Sequence, residues 1–242
     1  MKSRYITTVF ITGLLTLGSL ALSPVTQAKP PSEDRGNGNS AAENVDALNL
    51  STTGLDNTAH GWFSLFSNTS GSSNTADGFQ ALYSNTIGSV NTATGVGALL
   101  SNSDGSGNSA FGSNALALNT TGGGNTANGY RALYSNATGD GNTATGLNAL
   151  YYNTTGFANT ANGVEALYSN TTGEGNTALG DVALSSNTTG NFNTALGVLA
   201  GNNVTTADGV ICIGSLGANV SNSCFIGHIR GVKRQMPTPY QC

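Results

Sequence analysis

Apolar and polar positions follow one rule along most of the chain. An Asn ladder runs through Asn57, Asn74, Asn91, Asn108, Asn125, Asn142, Asn159, Asn176 and Asn193, a step of seventeen with no insertion. Ala follows two residues later, from Ala59 to Ala195, and Gly four residues later, from Gly61 to Gly197. Leu comes eight residues after the first eight of these Asn, from Leu65 to Leu184. A second Asn comes eleven after, from Asn68 to Asn187, and a second Gly fourteen after, from Gly71 to Gly190. The consensus is N-T-A-x-G-x-x-A-L-x-x-N-T-T-G-x-x, with nine clear starts. A degenerate earlier copy keeps the register through Ala42, Ala47, Leu48 and Gly54. Helical repeats need about 30 residues or more per unit. Seventeen residues suit one turn of a β-solenoid instead, with Gly and Asn at the turns because both tolerate left-handed backbone. The pattern therefore predicts an all-β fold, a parallel β-solenoid (β-roll) of about ten 17-residue rungs. Rungs stacked about 4.8 Å apart would make a rod of roughly 48 Å.

Within a rung, N-T-A-x-G and x-A-L-x are the two strand candidates, and N-T-T-G is a turn. Alternation puts Asn, Ala and Gly of the first strand on one face. These residues are small and constant, so they are expected inside as a structural ladder, with Thr and the variable fourth residue outside. The nearly constant Leu is also expected inside. Two columns of larger side chains lie on the opposite parity to that Leu. One holds Trp62, Phe79, Val96, Tyr130, Leu147, Val164 and Val198; the other holds Phe66, Tyr83, Leu100, Tyr134, Tyr151 and Tyr168. With Leu inside, these form an apolar stripe along the outside. A monomer rarely exposes so long a stripe. Either it packs against neighbouring chains or the inside/outside assignment is reversed.

The chain ends read differently. Lys2 and Arg4 precede an apolar run from Val9 to Leu22, then Pro24 and Thr26-Gln27-Ala28. This is the pattern of a secretory signal peptide, residues 1–28, cleaved after Ala28. The run is short of the roughly 20 residues a spanning helix needs, and no second such run follows, so no membrane span is expected in the mature chain. Residues 29–40 read as a polar linker, 41–56 as the degenerate first repeat and N-terminal cap, and 57–200 as the array. Residues 201–232 read as a repeat-like C-terminal cap, and 233–242 as a tail outside the pattern.

The NTA-x-G-x-x-AL units resemble the head repeats of trimeric autotransporter adhesins. They are also similar to the NTA-x-G-x-x-AL arrays of bacterial surface and phage-tail-fibre-like proteins, over residues 40 to 231. The resemblance implies a left-handed parallel β-roll assembled as a homotrimer. The apolar column Phe66, Tyr83, Tyr134, Tyr151 and Tyr168 would then be the trimer seam. The longer repeat departs from the shorter turns of classical adhesin heads. Val210–Gly214 and Cys224–Val232 also look like such arrays, which continue into N-A-N-A-x-P-V and a chaperone domain. Codons for Gln235–Cys242, read one frame over, can encode Asn-Ala-Asn-Ala-Val-Pro-Val. The tail from about Lys233 is thus expected to be a frameshift product ending a truncated head without its chaperone domain.

Composition removes several functions. Only 8% of the 242 residues are charged, 34 are Gly, and the formal net charge is −4. A nucleic-acid partner is not expected, since that needs clustered Lys and Arg. His60 and His228 are the only histidines. No zinc pattern occurs, and no Lys lies between Lys29 and Lys233 to complete a phosphate loop. No catalytic, cofactor or metal site is expected. Asp140 and Glu174 share a column two rungs apart, roughly 10 Å, and read as solvated loop acids rather than a glycosidase pair. Arg131 is the only basic residue of the array. Cys212 and Cys224 form either a disulfide or adjacent buried thiols, and Cys242 is left over. The Asn-x-Thr sequons at Asn119, Asn153 and Asn170 follow from the consensus and need no glycan.

The function expected is a non-enzymatic exported adhesion head, a rigid repeat surface meeting an unidentified host surface or glycan outside the cell. Two alternatives stand beside it. One is an ice-binding solenoid, whose Thr ladder runs through Thr58, Thr75, Thr92, Thr126, Thr143, Thr160, Thr177 and Thr194 with Ser109 as the break. The other is a glycan-binding tail-fibre-like fragment.

Overall fold

The computed structural model describes residues 38–41, 46–48 and 52–227. The expected signal sequence, most of the linker, parts of the degenerate first repeat, the last five residues of the C-terminal cap (228–232) and the tail (233–242) lie outside the described residues. Twelve short strands line up in chain order: β1 (Ser40–Ala41), β2 (Thr58–His60), β3 (Thr75–Asp77), β4 (Thr92–Thr94), β5 (Ser109–Phe111), β6 (Thr126–Asn128), β7 (Thr143–Thr145), β8 (Thr160–Asn162), β9 (Thr177–Leu179), β10 (Thr194–Leu196), β11 (Ile211–Ile213) and β12 (Cys224–Ile226). They form one parallel sheet in the order β1 to β12, each strand bonded to the next. Registers are strict: Ala59 faces Ala76, Ala76 faces Ala93, and so on to Ala195. The fold is a β-solenoid of about eleven turns. At about 4.8 Å per strand the sheet extends about 53 Å.

The strand Thr-Ala-x alternates as expected. Ala is buried, while Thr and the variable residue face outward. Each rung from Leu65 to Leu184 also buries its second Ala or Ser and its Leu, as at Ala81 and Leu82 or Ala132 and Leu133. The expected second strand, x-A-L-x, is not a strand. It is a turn, because its backbone cannot pleat. Leu65, Leu82, Leu99 and the corresponding residues to Leu184 have φ of +49 to +53°, and the residue two before each is left-handed as well. Two consecutive inward side chains, Ala and Leu, are possible only because alternation is abandoned. A left-handed non-glycine residue costs about 1–2 kcal/mol. Burying a whole Leu side chain contributes about 1.5–3 kcal/mol, so the burial offsets the strain. The turn still bonds rung to rung, for example through Leu82 N–H to the Ala98 carbonyl at 3.0 Å.

The outward left-handed position in this turn holds many residue types: Gln80, Gly97, Asn114, Arg131, Val182. Gly97 (φ +64°) relaxes one rung, and a Cβ there would lie 2.7 Å from Asn114 Oδ1. Gly97→Val is expected to destabilise the rod by about 1–2 kcal/mol through left-handed strain at a β-branched residue. A thermal melt followed by circular dichroism checks this.

The interior is partly polar. Two columns of Asn run along the rod, both fully buried. The first is the expected ladder: Asn57, Asn74, Asn91, Asn108, Asn125, Asn142, Asn159, Asn176 and Asn193 all lie inside. Each of them carries a side-chain oxygen that accepts the backbone N–H of the next rung. Asn91 N–H donates to Asn74 Oδ1 at 3.0 Å, Asn159 N–H to Asn142 Oδ1 at 3.0 Å, and Asn176 N–H to Asn159 Oδ1 at 2.9 Å. Asn193 N–H donates to Asn176 Oδ1 at 2.9 Å, but its Nδ2 departs from the pattern. That amide reaches Ala207 O at 2.8 Å where the other rungs offer a Gly carbonyl, and Asn187 Oδ1 at 3.4 Å.

In the second column, Asn85 Nδ2 donates to Asn68 Oδ1 at 2.8 Å. The columns meet at a glycine carbonyl: Gly88 O accepts from Asn74 Nδ2 and Asn85 Nδ2, each at 2.9 Å. This second column, which opens the N-T-T-G turn, is inside as well. Its burial places the sequon residues Asn119, Asn153 and Asn170 beyond reach of a glycan in the folded rod. Val204 and Val210 occupy the next position of each column and are fully buried. An apolar residue there ends the ladder without leaving an amide that needs a further partner.

The ends depart from the seventeen-residue step. Ser40 and Ala41 pair with Thr58 and Ala59, eighteen residues on. The degenerate copy therefore registers through Ala41, not Ala42, and its strand begins at Ser40, inside the segment read as linker. At the other end Ile211 pairs with Cys224, so the last turn takes thirteen residues.

Candidate contact surface

With Ala, Leu and Asn filling the interior, everything chemically varied lies outside. Three surfaces result. The sheet presents the Thr ladder and the variable column. The Ala-Leu turn presents the apolar columns. The N-T-T-G side presents hydroxyls and scattered carboxylates.

The apolar stripe does lie outside, with Leu inside. Trp62 is 56% exposed and Val198 67%. Phe79, Val96, Tyr130, Leu147 and Val164 are also exposed, while Tyr83, Tyr134, Tyr151 and Tyr168 are half-buried. The seam column forms two aromatic stacks. Phe66 and Tyr83 stack at 5.5 Å between centroids with planes 5° apart. Tyr134 stacks on Tyr151 at 5.1 Å and Tyr151 on Tyr168 at 5.4 Å. Leu100 and Ala117 separate the two stacks. Tyr152 stands edge-on to both Tyr151 and Tyr168 at 4.7 and 5.1 Å. Its hydrogen bond, with partial burial, raises the Tyr168 phenol above its usual value. Arg131 lies over the Tyr130 and Tyr134 rings at 4.9 and 5.7 Å. Its Nε and the neighbouring Asn148 Oδ1 are buried without hydrogen-bond partners.

On the sheet, His60 Nδ1 and Asp77 Oδ1 are 2.9 Å apart at the second and third strands. The outward Thr hydroxyls of the ladder make no hydrogen bond among the described residues. The Thr of the N-T-T-G side differ: Thr86, Thr120, Thr154 and Thr171 each donate to a carbonyl one rung on, at 2.9–3.1 Å.

The acids are spread along the rod. Asp140 and Glu174 are separated in their column by Phe157. Asp140 Oδ1 accepts from Gly123 N–H at 2.6 Å, and Asp181 Oδ1 from Val164 N–H at 3.0 Å, so both carboxylates tie rungs together. No group of three or more His, Cys, Asp or Glu suited to a metal comes together among the described residues.

No disulfide joins Cys212 to Cys224. Cys212 sits opposite Phe225, in the inward Ala column, whereas Cys224 sits opposite Ile211, an outward position. Burial, with a smaller contribution from Cys224, pushes the Cys212 thiol up to about 11. The fold thus favours the neutral thiol. That stabilisation is present below the unfolded value near 9 and is lost as pH rises towards 11. Native protein at pH 8 is expected to leave Cys212 unlabelled by a maleimide over minutes, and denatured protein to label it fully. Peptide mass mapping reads both.

Among the described residues, no helix is long and apolar enough to cross a membrane. No protein-family model matches the chain, and no curated protein matches it either.

Proposed function

We propose that this chain is a non-enzymatic adhesion head, exported through residues 1–28, that works as a homotrimer closed along its apolar columns. The observation that carries the reading is a long exposed apolar face on a rod whose interior is already full. Trp62, Phe66, Phe79, Tyr83, Tyr134 and Tyr151 are not spare core, because Ala, Ser, Leu and Asn fill the inside of their rungs. Such a face suits burial against other copies. The likeness of the repeat to trimeric adhesin heads supports three copies rather than two. The rest of the perimeter, set on a stiff ladder of hydrogen bonds, then meets a host surface or glycan. A solenoid in which each rung rests on its neighbours carries a load along its axis without a hinge.

Beads coated with the protein and settled on epithelial cells test the adhesion reading. Retention above albumin-coated beads, competed by soluble protein, is expected; retention equal to albumin contradicts it. Export is tested by N-terminal sequencing of protein recovered outside the cells, which should begin at Lys29.

A further inference from the structure

The Thr ladder has a property that sequence alone does not give. Its hydroxyls are unbonded, while those of the parallel Thr column on the N-T-T-G side are taken up by carbonyls. Along the strand registers the ladder is unbroken in spacing from Thr58 to Thr194. From β4 to β10 no outward strand position carries a charge. The relief is lowest in the middle. On β6, β7 and β8 the second outward residue is Asn128, Thr145 or Asn162. On the other flank Gly107, Gly124, Gly141 and Ala158 are small, while the exposed Phe192 ring lies against Gly175 and closes the flank there. Phe111 on β5 and Leu179 on β9 bound this patch.

We propose that this patch, from Thr126 to Thr160, binds the surface of ice. A charged group would hold liquid-like water around itself, and none is present on the patch strands. A hydroxyl and a methyl repeat at every Thr rung, about 4.8 Å apart, close to an oxygen repeat of the ice lattice. Three successive rungs, about 10 Å, fix water positions in one row without paying for side-chain ordering, since β-branched Thr is already restricted at χ1. The small residues on both flanks let a flat solid approach the row. This function needs only the rod and is independent of the adhesion reading.

The test compares the full chain with Thr126→Tyr/Thr143→Tyr, which raises the patch at positions a strand tolerates. Thr155→Tyr, on an exposed turn of another face, is the control. Unchanged circular dichroism melts establish that all three fold. The wild type and T155Y are expected to concentrate in a slowly growing ice hemisphere and to show thermal hysteresis. The double variant should lose at least about half of both. Exclusion of the wild type from ice to the same degree as albumin overturns the proposal, as does a double variant equal to the wild type. Either failure leaves the bead-adhesion result untouched, so the two readings fail separately.

Discussion

Deleting residues 125–141 is expected to leave a folded rod one rung shorter, whereas deleting residues 125–132 is expected to wreck it. The first deletion joins Gly124 to Asn142, two residues in the same relation as Gly124 and Asn125. The Asn ladder is re-formed with the next copy: Asn142 N–H meets Asn108 Oδ1 as Asn125 N–H does now at 3.0 Å, while the tie from Gly123 N–H to Asp140 Oδ1 is lost because Phe157 takes its place. The second deletion leaves nine residues of that rung. Fully extended they reach about 30 Å but carry only half the inward residues, so the rung cannot close with its Leu, Ala and Asn in place. The other outcome, a nine-residue loop pushed out of the stack, costs about 2 kcal/mol in closure entropy and exposes Leu133 and Asn136. The melting midpoint of the seventeen-residue deletion should stay within a few degrees of wild type. The eight-residue deletion should fall by about ten degrees or more, or be insoluble. Equal tolerance of both would contradict a solenoid with a seventeen-residue rung.

Breaking the buried amide ladder is expected to have the next largest effect. Asn136 Nδ2 donates to Asn119 Oδ1 at 2.8 Å and to Gly139 O at 2.9 Å, and its Oδ1 accepts from Asn153 Nδ2 at 2.7 Å. Asn136→Leu keeps the approximate volume and removes all three bonds. Gly139 O retains Asn125 Nδ2 at 2.9 Å, but Asn119 Oδ1 and one Asn153 proton are left unpaired in a dry interior. Each such orphan costs about 1–3 kcal/mol, so a loss of about 2–6 kcal/mol is expected. Gly139→Ala attacks the same joint by crowding: its Cβ would lie 2.3 Å from Gly156 O and 2.5 Å from Asn136 Oδ1. Thr138→Ala, one residue away and exposed, should change little. Urea melts of the three variants check the order; an N136L protein as stable as T138A would show that the ladder is dispensable.

The period and the sheet were legible because identical residues in identical registers leave one way to stack. The Thr-Ala-x alternation was legible for the same reason, since a constant small Ala between Thr and a variable residue marks the inward position of a pleated strand. So was the first Asn column: Asn91, Asn159 and Asn176 share the parity of the Ala two residues on, and the pleat carries both inward. The Leu turn was not legible. Leu has no intrinsic preference for left-handed backbone, and its burial overrides the local cost, so propensity pointed to a second strand. The burial of the second Asn column was not legible, because Asn before Thr-Thr-Gly is equally a good turn residue at the surface; the shared glycine carbonyl explains why it is inside. Adjacent Ala41 and Ala42 hid the extra residue of the first rung. On the surface, the outward apolar columns could be read from the sequence, but not the two separate aromatic stacks, nor the Tyr152 wedge against the second.

The native mass of the exported protein, residues 29–242, measured in solution by light scattering coupled to size exclusion, tests the central proposal most directly. A particle of three chain masses is predicted, with the apolar columns buried between copies. A clean monomer of one chain mass would contradict it, leaving Trp62, Tyr134 and Tyr151 on an open face.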